Sequence, residues 1–300
     1  MRVTPLAVAD RHPSKLGVLR RAFTRPETYT GTLRELTSTA ACVIRYPLGI
    51  IEGAISTGRP CGQAELDTPV LLVHGYGHNR SGWTALSRAL RRAGFTSVHT
   101  WNYNPLRHDV PTLAAHLGER VELLRAITGS QKVHVVGHSL GGVLLRWYIQ
   151  EMGGDQTVEV AITIASPHEG TELARLVVGP RTRTIRQIAP GSAIMRRIAA
   201  GARPSPVRWI AYYSNLDGLV MPATSAMISS PALRAVNVFV KDQGHLSILL
   251  APAVTGSIVE QLLAAERAAG LAPVEPIEPA EPAEPGPSQA QRPPRASASA

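Results

Sequence analysis

Ten consecutive residues, Val133-His134-Val135-Val136-Gly137-His138-Ser139-Leu140-Gly141-Gly142, constrain this chain more than any other stretch. Lys132 to Val136 is a short β-branched run of the kind buried in a parallel sheet. Val143 to Gln150 carries apolar residues at helical spacing. Between the two lies Gly137-His138-Ser139-Leu140-Gly141, which fits G-x-S-x-G. A serine placed between such a strand and such a helix sits in a sharp, strained turn. The residues two before and two after it must be small, or their side chains would strike the strand and the helix. Gly137 and Gly141 meet that demand, and Gly142 lets the helix approach the sheet. The turn projects the Ser139 hydroxyl above the sheet edge, beside a helix N-terminus whose dipole favours negative charge.

A serine hydroxyl is a weak nucleophile at neutral pH. It needs a histidine to take its proton and a carboxylate to fix the histidine tautomer. Around a strand-turn-helix serine of this type, the partners follow in the order Ser, Asp or Glu, His. Of ten histidines, His245 alone lies beyond the last expected strand, in Asp242-Gln243-Gly244-His245-Leu246. His12, His99, His116 and His134 fall in the N-terminus or in expected elements. His138 adjoins the serine but is aimed elsewhere, and His74, His78, His108 and His168 read as pocket or scaffold residues. For the acid, Asp217 follows the expected strand 207–214, on a loop at its carboxyl end, where ligands sit in open α/β sheets. Asp242 is its rival, three residues before His245, and Asp155 comes too early. An oxyanion formed at the serine needs N–H donors. Leu140 offers one from the helix start, and Tyr76, in His74-Gly75-Tyr76-Gly77 after the first expected strand, offers the second.

The remaining pattern sets the fold class. Strands are expected at 69–74, 95–101, 132–136, 158–165, 207–214 and 233–240, and helices at 82–93, 110–128, 143–150 and 253–269. Strands alternating with helices give an α/β fold, a mostly parallel central sheet flanked by helices. With 300 residues, 44% of them hydrophobic, the chain can fill one large core. Residues 61–271 form that catalytic domain. Within it, 173–208 carries eight arginines, no acid, and Ile185, Ile188, Ile194, Met195 and Ile198. It reads either as a small helical cap over the functional edge of the sheet or as a solvated arginine-rich surface.

The flanks differ in character. Residues 1–31 are basic and are expected to be poorly ordered. Residues 32–60 hold an apolar stripe (Leu33, Leu36, Ala40, Val43, Ile44, Leu48, Ile51) interrupted by Pro47. That stripe suits a helix packed on the domain, or an interfacial helix resting on lipid with Arg34 and Arg45. Residues 272–300 are rich in Pro, Glu, Ser and Ala and are expected to be disordered. The net charge of +9 is almost all arginine, because Lys15, Lys132 and Lys241 are the only lysines. No nucleic-acid motif accompanies it, so no nucleic-acid partner is expected, whereas a basic surface suits anionic lipid or acidic substrates. Cys42 and Cys61 lack metal spacing; whether they pair is left open. No apolar signal core opens the chain and no stretch approaches the ~20 apolar residues that span a bilayer. A cytoplasmic protein, with peripheral membrane contact at most, is the expectation.

Four motifs in one order resemble the bacterial triacylglycerol lipases and esterases of the α/β-hydrolase superfamily: His74-Gly75-Tyr76-Gly77, the elbow 137–142, Ser214-Asn215-Leu216-Asp217-Gly218-Leu219-Val220, and Gly244-His245-Leu246. Ser166-Pro167-His168-Glu169-Gly170-Thr171 looks like the Pro-His-x-Gly turn of the larger members. The resemblance spans about residues 68–252. It implies an α/β-hydrolase fold and hydrolysis of carboxylic esters through an acyl-enzyme, with Ser139, Asp217 and His245 as triad and Tyr76 and Leu140 at the oxyanion positions. An apolar pocket is then expected from Gly75, Tyr76, Leu140, Leu219 and Val220, with cap residues such as Ile194. The larger members bind calcium through an aspartate two residues after the histidine; here that residue is Ser247, so no metal and no organic cofactor are expected. The same triad also serves acyl transfer, thioesters or amides. A binding module that no longer turns over is the reading from another class.

Overall fold

The computed structural model describes residues 26–49, 68–177, 179 and 183–270. The readings for residues 1–25, for 50–60, for Cys61 and for the 272–300 tail lie outside these described residues.

Six strands form one sheet: β1 (Val70–Val73), β2 (Val98–Trp101), β3 (Val133–His138), β4 (Val158–Ile164), β5 (Arg208–Ser214) and β6 (Val236–Val240). Their spatial order is β2-β1-β3-β4-β5-β6, and every neighbouring pair is parallel. Parallel pairing requires crossovers, and helices supply them. Between β1 and β4 these are α2 (Thr84–Arg92), α3 (Val110–Thr128) and α4 (Leu140–Glu151), whereas α7 (Ser247–Leu250) and α8 (Pro252–Ala268) follow β6 at the carboxyl end. All six carboxyl ends fall on one edge of the sheet, so the loops after β1, β3, β5 and β6 open on the same rim.

Side chains alternate faces along each strand, as a two-residue period dictates. Leu71, Val73, Val135, Trp209 and Ala211 join Leu113 and Leu117 of α3 and Leu144 of α4 in one core layer. Val70, Leu72, Val136, Ile210 and Tyr212 join Leu86 and Leu90 of α2 and Ile258 and Leu262 of α8 in the other. β3 lies mid-sheet, and all six of its residues are buried. Truncating one such leucine to alanine costs about 2–5 kcal/mol. At the far end of β3, His134 Nε2 meets the buried Glu266 carboxylate of α8 at 2.7 Å, tying that helix to the sheet.

The arginine-rich insertion forms two short helices, α5 (Arg183–Gln187) and α6 (Ala193–Ala200). Ile194, Met195 and Ile198 are buried in the α3–α4 core layer. Thr184 Oγ1 lies 2.6 and 2.9 Å from the carbonyls of His108 and Pro105. Arg197 pairs with Glu151 at 2.7 Å and lies 5.7 Å over the Trp147 ring, while Arg203 donates to the Gln150 carbonyl. The insertion is thus anchored to α4 by some of its arginines.

The amphipathic segment also differs from expectation. Its helix, α1, runs Pro26–Arg45 and gives way to a 3-10 turn, Tyr46–Gly49. A longer helix fails at Pro47, which has no N–H to donate and collides with the carbonyl four residues earlier. α1 packs on the domain with its small and polar face: Gly31, Ser38 and Cys42 are buried. Its apolar stripe faces out, leaving Leu33, Leu36, Val43 and Ile44 59–76% exposed. Asn79 and Asn102 hold the end of the segment by donating to the Tyr46 and Gly49 carbonyls at 2.8 and 2.6 Å.

Candidate active site

Ser139 stands between β3 and α4 with φ 53° and ψ −119°. A non-glycine residue in that region costs of order 1–3 kcal/mol and persists only where its surroundings enforce it. The enforcement is steric. A Cβ on Gly137 would lie 2.6 Å from the Gly142 nitrogen, and one on Gly141 would lie 2.4 Å from the Val73 carbonyl oxygen. Both neighbours are backbone and cannot yield. The Ser139 N–H is spent on the Ile164 carbonyl at 2.9 Å, which locks the elbow to β4. Leu140, the first residue of α4, has an N–H with no carbonyl of its own helix to bond.

The loop after β1 passes directly against this elbow: a Cβ on Gly75 would lie 2.8 Å from Ser139 Cβ. His74 sets its course. Tyr103 N–H donates to His74 Nε2 at 3.3 Å, so the ring proton sits on Nδ1, which donates to the Gly75 carbonyl at 2.8 Å. The ring stacks on Tyr103 at 4.3 Å, and Tyr103 Oη donates to the His74 carbonyl at 2.6 Å. Burial lowers the His74 pKa to about 4, so the ring stays neutral and keeps that tautomer. Gly75 C=O and Tyr76 N–H belong to one trans peptide and point oppositely. Holding the carbonyl therefore fixes the direction of the Tyr76 N–H.

The carboxylate and imidazole come from the loops after β5 and β6. His245 Nδ1 donates to the Asp217 carboxylate, 2.9 and 3.0 Å from its two oxygens, and both residues are buried. Asp217 Oδ1 also accepts from the Leu219 and Val220 N–H groups at 2.8 and 2.9 Å. With Nδ1 committed as donor, Nε2 is left as the basic nitrogen. The ring centroid lies 4.7 Å from that of His138, the residue next to Ser139, and His138 Nε2 donates to the His245 carbonyl at 3.0 Å. Burial pushes the His138 pKa well below its usual range, so this support carries no charge. Ser214 Oγ donates to the Gln243 carbonyl at 2.6 Å and stitches the two loops together.

Asp242, the rival acid, is engaged elsewhere. Its carboxylate accepts from Asn215 Nδ2 at 2.9 Å, and its N–H donates to Asn215 Oδ1 at 2.8 Å. Ser247, two residues after His245, accepts from the Gly244 N–H at 2.7 Å. His168 packs in the interior with its Nε2 2.9 Å from Thr163 Oγ1.

A cavity of about 390 Å³ opens beside His245. Tyr76, Leu219, Cys42, Val43 and Tyr46 are among its walls. The expected lining needs four corrections. Val220 is 1% exposed, and its N–H serves Asp217. The Leu140 side chain is buried in the core, so this residue can contribute only backbone. Ile194 faces the α3–α4 layer, and no residue of the insertion lines this cavity among the described residues. The missing wall comes from α1, far upstream in the chain, which supplies Cys42 and Val43. Gly75 lies against Ser139 and His138 and is not among the residues that line the cavity.

A sequence model of the palmitoyl protein thioesterase family matches residues 69–202. A triacylglycerol lipase of Vibrio cholerae is 28% identical over 149 residues, covering 47% of this chain. The chain spans 43% of the length of that curated relative. Among solved structures, Aspergillus fumigatus lipase B aligns with a TM-score of 0.60 at 21% identity, over 71% of this chain and 55% of that one. The mature form of the Bacillus licheniformis lipase BlEst2 aligns with a TM-score of 0.56 at 20% identity, over 69% and 96%. At those identities the structural likeness establishes the fold: the architecture is that of the α/β-hydrolases.

Proposed function

We propose that this chain of α/β-hydrolase fold is a serine hydrolase of carboxylic acyl esters, working through an acyl-enzyme. The observation that carries the reading is the His245–Asp217 pair, 2.9 Å apart on the same rim as the strained Ser139. In the proposed cycle, His245 Nε2 takes the Ser139 proton as Oγ attacks the ester carbonyl carbon. Asp217 remains ionised and stabilises the imidazolium. The tetrahedral oxyanion is met by the N–H groups of Tyr76 and Leu140, each worth on the order of 100-fold in rate. His245 then gives its proton to the leaving alcohol. Water, activated by the same ring, attacks the acyl-serine and releases the acid. The acyl chain occupies the cavity between Leu219, Tyr76 and α1.

The match to the thioesterase family over the elbow and the oxyanion loop favours one second reading, an acyl thioester as substrate. The two differ only in the leaving group, which the same histidine protonates. We further propose that the enzyme works at a lipid surface. The outward Leu33, Leu36, Val43 and Ile44 stripe, flanked by Arg34 and Arg45, adjoins the cavity through Val43 and suits an anionic interface.

The test is hydrolysis of p-nitrophenyl esters from acetyl to palmitoyl, beside matched acyl thioesters, by wild type and Ser139→Ala. Ester turnover that falls on the order of 1,000-fold or more in Ser139→Ala is expected. Turnover confined to the thioesters transfers the assignment to the second reading. Equal rates in both proteins would overturn the nucleophile assignment.

A further inference from the structure

The histidine loop is gripped from outside the catalytic domain. Glu35, half-buried on α1, accepts from two consecutive backbone N–H groups immediately after His245. Oε1 accepts from Leu246 N–H and Oε2 from Ser247 N–H, both at 2.8 Å. Leu246 N–H and His245 C=O are the two ends of one peptide, and that carbonyl already accepts from His138 Nε2 at 3.0 Å. The peptide that leaves His245 is therefore pinned at both ends, by a residue of the elbow on one side and by α1 on the other.

The surroundings are shaped for this contact. A Cβ on Gly244 would lie 2.3 Å from Glu35 Oε2, so any larger residue would evict the carboxylate. A Cβ on Gly31, one turn earlier on α1, would lie 2.3 Å from Leu216 in the aspartate loop. Small residues at both points let α1 wedge between the loops that carry the acid and the base. Hydrogen bonds from neutral N–H groups to a carboxylate are among the stronger kind.

We propose that Glu35 is a positioning residue for His245: its carboxylate fixes the backbone of the histidine loop so that the imidazole is held between Asp217 and Ser139. This rests on the serine-hydrolase reading above. It makes α1 part of the active site in two ways, as a wall of the acyl cavity and as the clamp on the base. A displacement of the base by about 1 Å costs on the order of 100-fold in rate. Glu35 touches no reacting atom, so its removal should slow turnover and leave substrate binding alone.

The experiment compares wild type, Glu35→Gln and Glu35→Ala on a short soluble ester, with amide hydrogen exchange of Leu246 and Ser247 followed in the same proteins. In Glu35→Ala, kcat should fall 10- to 100-fold with KM changed less than 3-fold, and both amides should exchange at least 10-fold faster. Glu35→Gln keeps one carbonyl acceptor and the shape, so it should fold as wild type does and fall between the two. Unchanged exchange at both amides in Glu35→Ala overturns the clamp, whatever the activity. Faster exchange with kcat within 2-fold of wild type, or a loss expressed in KM, overturns the positioning role. If wild type hydrolyses no ester while the amides still lose protection in Glu35→Ala, the clamp stands and the hydrolase reading fails.

Discussion

At residue scale, the arrangement turns on which atom of each group is already spoken for. Asp217 accepts from two backbone N–H groups and from His245 Nδ1, so its acceptor oxygens are directed. Asp217→Asn preserves volume but can turn an NH2 toward Nδ1. The ring then adopts the other tautomer, with its proton on Nε2, and cannot accept from serine. Activity on any ester should fall on the order of 10,000-fold while the fold is kept. Steady-state kinetics beside circular dichroism check this; activity within 10-fold of wild type would return Asp242 to consideration. Asp217 and His245 were legible because chain order and strand ends narrow the choice to a few residues. Glu35 was not, because its partners lie 211 and 212 residues away and a lone glutamate on a helix carries no local signal.

At the scale of elements, the six strands and the long helices follow their patterns to within a few residues, because buried parallel strands and their crossover helices are marked by composition alone. For two elements the pattern left two readings open. The insertion's apolar residues announce burial but not which surface receives them, and they fill the α3–α4 layer rather than the cavity. α1 shows the converse. An apolar stripe ordinarily faces a core, yet here the close approach at Gly31 and Gly244 and the reach of Glu35 turn the small, polar face inward. Leu36 and Ile44, 64% and 76% exposed, then lie outside the cavity lining. Leu36→Asp combined with Ile44→Asp should lower binding to anionic phospholipid vesicles at least 5-fold in sedimentation, with hydrolysis of a soluble acetyl ester unchanged. Vesicle binding equal to wild type would separate α1 from the lipid surface.

At the scale of the whole molecule, seven histidines are buried among the described residues. Burial lowers His74 and His99 to about 4, and His138 and His168 go well below the usual 6.5. Each is neutral in the folded chain and takes a proton on unfolding at mildly acid pH. The unfolded state therefore binds more protons below about pH 6.5, and stability falls as pH falls. From His74 and His99 the loss accrues between about 6.5 and 4; the other two extend it lower. Calorimetry between pH 7 and 5, above most carboxylate titration, should show a steadily decreasing Tm. A Tm that is flat or rises over that interval would mean that these rings are solvated or paired in the folded protein.

In the proposed cycle the Ser139 hydroxyl is a nucleophile made reactive by residues from two other loops. Intact-mass analysis after exposure to a fluorophosphonate probe reads it directly. Wild type should gain one adduct, mapped by peptide sequencing to Ser139, with none in Ser139→Ala and labelling slowed at least 100-fold in His245→Ala. A folded wild type that takes up no probe, or an adduct on any other residue, would rule Ser139 out as the nucleophile.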